Sequence, residues 1–119
     1  MRRDERGAVT AEIALGLPLL GALTVGLVWL LAAGAAQVRA VDAARETARA
    51  LARGDAAADA VEVGERIAPA SARVAVVSGQ GDHVRVRVTA RVRGPGGLFA
   101  SLPAVPVDAE AVALLESAP

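Results

Sequence analysis

Residues 13–36 read IALGLPLLGALTVGLVWLLAAGAA, a run of 24 uncharged and mostly apolar residues. As an α-helix, which rises 1.5 Å per residue, this run is about 36 Å long, whereas the hydrocarbon core of a bilayer is about 30 Å thick. It therefore predicts one membrane-spanning helix, which we place at residues 8–38. Pro18 removes one backbone hydrogen bond and is expected to kink this helix, a defect that membrane helices tolerate.

Three small residues share one face of the predicted span, at spacings of four and seven: Ala22, Gly26 and Ala33. Such a face is typical of helix-to-helix packing in membranes. The high alanine and glycine content of the chain produces the same pattern by itself, and we favour that simpler interpretation.

The composition excludes several classes of function. The 119 residues include 13 basic and 13 acidic side chains, so the formal net charge is zero, and we expect no nucleic-acid partner. Cysteine and lysine are both missing from the sequence, which excludes disulfides, thiolate nucleophiles and Schiff-base lysines. The only histidine, His83, follows a turn sequence and has no obvious metal-binding or catalytic partner. We therefore expect no enzyme activity, cofactor, metal site or small-molecule substrate.

Helical character continues beyond the apolar run. The segment QVRAVDAARETARALARG, residues 37–54, is rich in helix formers and ends in Gly54, the residue type that most often follows a helix. Acids and arginines stand three apart in it, at Asp42 and Arg45 and at Glu46 and Arg49. We therefore expect the membrane helix to continue into water as an amphipathic stalk.

A second, shorter helix is predicted to follow the stalk and to end at Pro69, since proline does not continue a helix. Asp55 is a suitable N-cap for it, because its carboxylate can accept a hydrogen bond from a free backbone N–H group. Gly64 lies inside this helix and lowers its intrinsic stability. The stalk and the second helix together make up residues 39–69.

The hydrophobic period then changes from helical to two. Residues 72–78 are a short β-branched run, the turn sequence GQGD follows, and HVRVRVTARVR, residues 83–93, alternates strictly. These features predict a β-hairpin. The segment VDAEAVALL, residues 107–115, is expected to return as a third strand after a loop with one helical turn at 98–102.

The alternating strand has an apolar face and an arginine face. Its apolar face consists of Val84, Val86, Val88, Ala90 and Val92. Its opposite face carries Arg85, Arg87, Arg91 and Arg93. Alternation favours a solvated sheet surface over an anion-binding patch for these arginines. If the third strand pairs beside this one, Asp108 and Glu110 are expected to form cross-strand ion pairs with them.

The predicted fold class is therefore α+β. A long N-terminal helix, first membrane-spanning and then amphipathic, is followed by a short second helix. Residues 70–119 then form a small antiparallel sheet made of a β-hairpin and a C-terminal third strand.

The segment before the span carries a motif of its own. Residues 1–7, MRRDERG, are charged and end in glycine, and Glu12 is the fifth residue after Gly7. A short charged leader that ends in glycine, with glutamate at the fifth position after it and then a hydrophobic helix, resembles the class III signal of type IV pilins. The resemblance implies that a prepilin peptidase cuts the chain between Gly7 and Ala8 on the cytoplasmic side.

A carboxylate at this position requires a physical explanation, because an ionised side chain at the centre of a membrane helix costs about 2.5–3.5 kcal/mol. Cleavage after Gly7 would create an α-amino group on Ala8 that is largely cationic at neutral pH. In a bundle of such helices, Glu12 would pair with the Ala8 amine of an adjacent subunit, which would fix the axial position of each helix. Alternatively, Glu12 lies at the headgroup boundary of an ordinary signal anchor, where a carboxylate costs less.

Most of the chain is similar to the TadE-like minor pilins of the tight-adherence (Tad/Flp) type IV pilus system. The similarity runs from RGAVTAEIALGLPLL through QVRAVDAARETARALARGD and, more loosely, through ARVAVVS, VRVRVTARV and DAEAVALL. Ile13 follows Glu12 where the major pilins of that system have an aromatic residue. This difference favours a minor pilin or pseudopilin over the bulk filament subunit.

The resemblance also implies partners and a location. The partners are a prepilin peptidase, major and other minor pilins, a membrane assembly platform and membrane lipid. The location is the cell membrane, crossed once with the C-terminal domain outside the cytoplasm, and an extracellular pilus after assembly. Charge alone does not decide this orientation, because arginines flank both ends of the span. They are Arg2, Arg3 and Arg6 on one side and Arg39, Arg45, Arg49 and Arg53 on the other.

Two other functions are compatible with the same residues. AAGAAQ, residues 32–37, contains small-x-small sequences of the kind that signal peptidase I cuts, and a cut near Ala36 would release a secreted domain. In the second alternative the leader is kept, and the chain is an uncleaved single-span accessory subunit of another membrane complex. The N-terminus of the mature protein distinguishes these alternatives from the pilin.

Overall fold

The structure is a computed structural model that describes residues 2–78 and 81–116. It confirms the predicted α+β class, with a long N-terminal helix, a short second helix and a three-stranded antiparallel sheet. In chain order the elements are α1 (Arg2–Ala52), α2 (Ala57–Ile67), β1 (Arg73–Ser78), β2 (His83–Val92), a 3-10 helix (Gly97–Ser101) and β3 (Val105–Leu114).

Helix α1 is a single element of 51 residues that includes the charged residues before the apolar run, from Arg2 on, the apolar run itself and the segment predicted as a stalk. It continues through Pro18 without interruption. The protein is accordingly a rod, with extents of 89 × 22 × 20 Å. The remaining elements all pack beside the C-terminal half of this helix.

Gly54 ends α1 as predicted. Its backbone has φ +94°, a left-handed conformation that costs glycine little and other residues more. The Gly54 N–H donates to the Leu51 carbonyl at 3.0 Å, and the Asp55 N–H donates to the Ala50 carbonyl at 3.1 Å. These two bonds form a Schellman motif, which satisfies the last carbonyls of the helix.

The prediction that Asp55 caps the second helix is wrong. The N-cap of α2 is Ala56, and no side chain bonds to the free N–H groups of its first turn. Asp55 already closes α1 through its backbone, and its carboxylate lies 3.6 Å from the Arg53 guanidinium. The end of α2 follows the prediction, because the helix stops at Ile67, two residues before Pro69.

The sheet has the order β1-β2-β3, and both pairs are antiparallel. Strand β3 begins at Val105, two residues earlier than predicted, and includes Pro106. Proline is compatible with this position because β3 is an edge strand, so its missing N–H is not needed by a further strand. The predicted helical turn of the loop is the 3-10 helix. Gly79 and Gln80 of the predicted turn between β1 and β2 lie outside the described residues.

The sheet packs its valine face against the two helices. Residues of β2 alternate strictly between exposed and buried from His83 to Val88, and Val86 and Val88 are fully buried. The face that α1 presents to the core shared with the sheet and α2 consists almost entirely of alanine, repeated at helical spacing: Ala36, Ala40, Ala43, Ala44 and Ala48. Because alanine is small, such a face permits a close approach of the helix backbone to its neighbours.

Three hydrogen bonds fix the sheet lengthwise along α1. The Trp29 indole Nε1 donates to the Val92 carbonyl at 3.2 Å, and the Gln37 amide donates to the Asp108 carbonyl at 2.9 Å. The Glu116 backbone N–H donates to the Ala52 carbonyl at 3.0 Å. The sheet therefore has one end beside Trp29, called here the Trp29 end, and another beside Ala52, called the Ala52 end.

Gly64 lies at a close contact between α2 and α1. A Cβ added there would overlap the hydroxyl of Thr47 and lie 3.4 Å from Val74. Thr47 is fully buried, and its hydroxyl donates to the Ala43 carbonyl at 2.8 Å. Glycine is therefore required by the close approach of α2 to α1, although it lowers helix propensity.

We predict that Gly64→Ala destabilises the protein by about 1–3 kcal/mol, as overpacking does. Helix propensity alone predicts a gain of up to about 1 kcal/mol, so the sign of the change tests the contact. The measurement is urea unfolding in detergent solution, followed by circular dichroism. Gly34→Ala, where an added Cβ meets nothing within 4 Å, is the matched control and should not destabilise.

The double variant Gly64→Ala/Thr47→Ala removes the overlapping hydroxyl. It should lose less stability than the sum of the two single variants. Strict additivity, or a Gly64→Ala variant as stable as the parent, would contradict the contact.

Candidate functional site at the apolar helix and its junction with the sheet

The N-terminal part of α1 is not covered by the rest of the chain. Residues 4–21 are exposed throughout, including large apolar side chains such as Leu15 (76 % exposed) and Leu19 (72 %). The described part of the chain contains one helix long and apolar enough to cross a membrane, and none of its most apolar 18-residue window is buried. From Ala33 onward, α1 is buried at regular intervals by the chain's own domain.

The residues predicted to function all lie on the exposed part of α1. Gly7, Ala8 and Glu12 are helical and exposed. Ala8 and Glu12 are four residues apart, so they share one face of the helix and are separated by about 6 Å along its axis. Among the described side chains, none forms an ion pair with Glu12.

The junction between α1 and the sheet is built from the only two aromatic side chains in the sequence. The rings of Trp29 and Phe99 meet edge to face, with centroids 5.7 Å apart and an interplanar angle of 65°. Phe99 also lies over Gly26, where an added Cβ would come within 3.2 Å of its ring. Sequence reasoning missed this junction. The signal available was that an alanine-rich chain has one tryptophan and one phenylalanine.

The face of small residues on α1, at Ala22, Gly26 and Ala33, is therefore partly covered by the chain itself. Gly26 contacts Phe99, and Ala33 is buried. At Gly26 this face accommodates the Phe99 ring, and the interpretation favoured from sequence, that the small residues reflect composition, stays a prediction.

The outer face of the sheet carries the predicted cross-strand ion pairs. Arg87 donates to both carboxylate oxygens of Asp108, at 3.2 Å and 2.5 Å, and Arg85 lies 3.1 Å from Glu110. Both pairs are diagonal in the strand register. Arg87 stands opposite Glu110 but pairs with Asp108, and Arg85 stands opposite Val112 but pairs with Glu110. On the stalk, Glu46 and Arg49 form the predicted pair at 3.7 Å, whereas no ion pair is found for Asp42 within the described residues.

The Arg87 pair shifts the titration of both partners. The hydrogen bond from Arg87 lowers the pKa of the Asp108 carboxyl below its ordinary value, and the same bond raises the pKa of Arg87. Both side chains are about half exposed, so the pair is a surface feature of the sheet.

Three other arginines lie at the Trp29 end of the same face. Arg73, Arg91 and Arg93 line a shallow groove of about 510 Å³ with Ser71, Thr89, Ala90, Pro106, Val107 and Asp108. Within the described ranges, none of these three arginines forms an ion pair. His83 is exposed at the opposite end of β2, and the described residues contain no group of three or more His, Cys, Asp or Glu side chains that could hold a metal ion.

Comparison with known proteins found no matching family model, no matching curated protein and no matching solved structure.

We predict that Asp108→Asn lowers stability at pH 7, because it removes the negative charge and one of the two acceptor oxygens of the Arg87 pair. A carboxyl whose pKa is lowered by folding stabilises the protein above its unfolded pKa, and this contribution is lost as the pH falls through the folded pKa. The difference in thermal midpoint between the parent and Asp108→Asn should therefore be present at pH 7, begin to shrink as the pH falls below about 3.8, and disappear only below the lowered pKa of folded Asp108. Circular dichroism in detergent solution measures it.

Asp42→Asn is the control for the same chemical change at an exposed acid for which no ion pair is described. It should leave the thermal midpoint nearly unchanged at pH 7. A midpoint for Asp108→Asn equal to that of the parent at pH 7 would show that the pair contributes nothing.

Proposed function

We propose that this chain is a TadE-like minor pilin or pseudopilin, cut by a prepilin peptidase after Gly7 and then incorporated into, or initiating, a Tad-type pilus. The observation that carries the proposal is the position of Glu12, an acid on the uncovered, apolar part of α1.

The length of the uncovered helix supports a deep position for Glu12. The chain's own domain contacts one face of α1 from the level of Gly26 onward, where Phe99 lies over the helix. From Ala8 to Gly26 the helix rises about 27 Å, close to the roughly 30 Å thickness of a hydrocarbon core. If lipid covers the part that the protein leaves bare, Glu12 lies about 6 Å inside the boundary at Ala8. This placement favours the pilin over an anchor with Glu12 among the headgroups.

Cleavage supplies a cationic partner for Glu12, for which no ion pair is found among the described residues. The new α-amino group on Ala8 is the cation nearest in depth to Glu12, and an adjacent subunit can present it to the carboxylate. A neighbour displaced along the helix axis would leave both charges unpaired in lipid, which is strongly unfavourable. The pair would therefore select one axial stagger between neighbouring helices.

In this proposal α1 crosses the cell membrane once and the sheet domain lies outside the cytoplasm. The exposed leucines of the N-terminal half contact lipid before assembly and the helices of other pilins after it. The partners are then the prepilin peptidase, the major and other minor pilins, and the membrane assembly platform. The orientation follows from the pilin resemblance, since arginines flank both ends of the span.

We predict that replacing Gly7 by a bulky residue such as Leu blocks processing, because the peptidase must cut directly after this position. A C-terminally tagged chain expressed in its native host should keep its first seven residues, and mass spectrometry of the purified protein detects them. Gly16→Leu, a change of the same size on the exposed part of α1, should be processed normally. Normal cleavage of the Gly7 variant would refute the proposed site.

We predict that Glu12→Ala leaves processing intact and impairs assembly. Loss of one member of a buried ion pair should reduce incorporation into filaments on the order of tenfold or more. Immunoblotting of sheared filaments against the membrane fraction measures this ratio. Glu5→Ala is the control, because this acid is removed with the leader. Filaments that contain the Glu12 variant at the parental level would overturn the pairing.

A further inference from the structure

We infer that the Trp29 end of the sheet domain docks on the bilayer surface. Arg73, Arg91 and Arg93 bind the phosphates of anionic phospholipids there, and the 3-10 helix at Gly97–Ser101 enters the interface. The inference rests on the part of the proposed function in which α1 spans the membrane. It does not depend on cleavage after Gly7 or on pilus assembly.

The first observation is the position of the Trp29 end. The Trp29–Val92 hydrogen bond holds the last residue of β2 against α1, near the level where the domain begins to cover one face of the apolar run. The strands run along α1 between this level and Ala52, so the end of β2 and the start of β3 lie at the Trp29 end, and β1 starts opposite Thr89, three residues short of the end of β2. Whatever surrounds the uncovered helix therefore reaches this edge of the sheet first.

The second observation is the distribution of charge on the outer face. Arg85 and Arg87, toward the Ala52 end, are neutralised by Glu110 and Asp108. The three arginines at the Trp29 end have no such partner among the described residues, and they converge on one shallow groove. A planar guanidinium with several donors suits phosphate oxygens, and each basic residue near an anionic membrane adds to the attraction.

The third observation is the apolar character of the loop that follows β2. Leu98 is 71 % exposed and Leu102 is 47 % exposed, while Phe99 between them is anchored on Gly26 and Trp29. Exposed leucines beside unpaired arginines are typical of a segment that lies in a membrane interface. Tryptophan is also enriched at this depth.

These observations favour lipid over a protein or nucleic-acid partner. The basic groove and the leucines occur together at one end of the domain, and that end adjoins the predicted span. The net charge of the whole chain is zero, so the three arginines form a local feature suited to a nearby surface.

Because the chain contains no cysteine, single spin labels can be placed without background. The purified full chain, with its leader, is reconstituted in nanodiscs of phosphatidylcholine with or without phosphatidylglycerol. A label at Leu98→Cys should become accessible to oxygen and protected from a water-soluble nickel complex. A label at Val77→Cys, exposed on β1 toward the Ala52 end, should remain accessible to the nickel complex. Equal accessibility of both labels to the nickel complex would overturn the inference.

The arginine requirement is tested with R73Q/R91Q/R93Q in the Leu98→Cys background. Each arginine that contacts an anionic headgroup should contribute about fivefold to the ratio of docked to undocked domain in phosphatidylglycerol nanodiscs. The matched control R45Q/R49Q/R53Q removes the same charge near the Ala52 end and should change the ratio little. Equal effects of the two triple variants would overturn the inference, as would docking that is independent of phosphatidylglycerol.

These experiments separate the inference from the proposed function. The leader is present throughout and no pilin is added, so a failure of cleavage or assembly in cells leaves the nanodisc results unaffected. Circular dichroism of each variant establishes that its fold is retained. If the arginine variant docks normally in nanodiscs but loses a protein partner in cells, the groove is a protein-binding surface and the inference is wrong.

Discussion

The contact between the alanine face of α1 and the valine face of the sheet determines the organisation of the whole protein. Ala40, Ala43 and Ala44 are fully buried, as are Val86 and Val88 across from them. Small side chains on the helix and β-branched side chains on the sheet allow a close approach over about 35 Å, from Trp29 to Ala52. The contact fixes where the covered part of α1 begins, and so defines how much apolar helix is left for another environment.

If α1 spans a membrane, the length of its uncovered part determines how deep Glu12, in the motif at its start, lies in the bilayer. If the entire apolar run of residues 13–36 were in lipid, the bilayer could be placed so that Glu12 lay among the headgroups. If α1 crosses a bilayer as proposed, the bilayer extends toward Ala8 instead, because the domain already covers one face of the helix from the level of Gly26. In that proposal the sheet domain affects the environment of Glu12, at the far end of the span, through the placement of the membrane alone. A carboxylate at that depth favours a partner of opposite charge.

The sequence predicts most of the fold, because its signals are periodic and local. Alternating valines identify β2, Gly54 marks the end of α1, and the positions of Asp108 and Glu110 predict their pairing with arginines, though not its diagonal register. Contacts between distant segments were not predictable in the same way. An apolar pattern does not distinguish a helix covered by lipid from one covered by protein, so burial at Ala33 had no sequence signal. Gly64 lowered the predicted helix stability, whereas its role is to let α2 approach Thr47.

The candidate functional residues, like the fold, were predictable from the sequence only where the signal was local. Gly7, Ala8 and Glu12 were identified from one short motif, but the groove between Arg73 and Arg93 required the strand register to bring residues from all three strands together. The most direct test of the account is the intact mass of the protein purified from membranes of its native host. The account predicts a chain that begins at Ala8. A chain that keeps its first seven residues, or one that begins near Gln37, would contradict it.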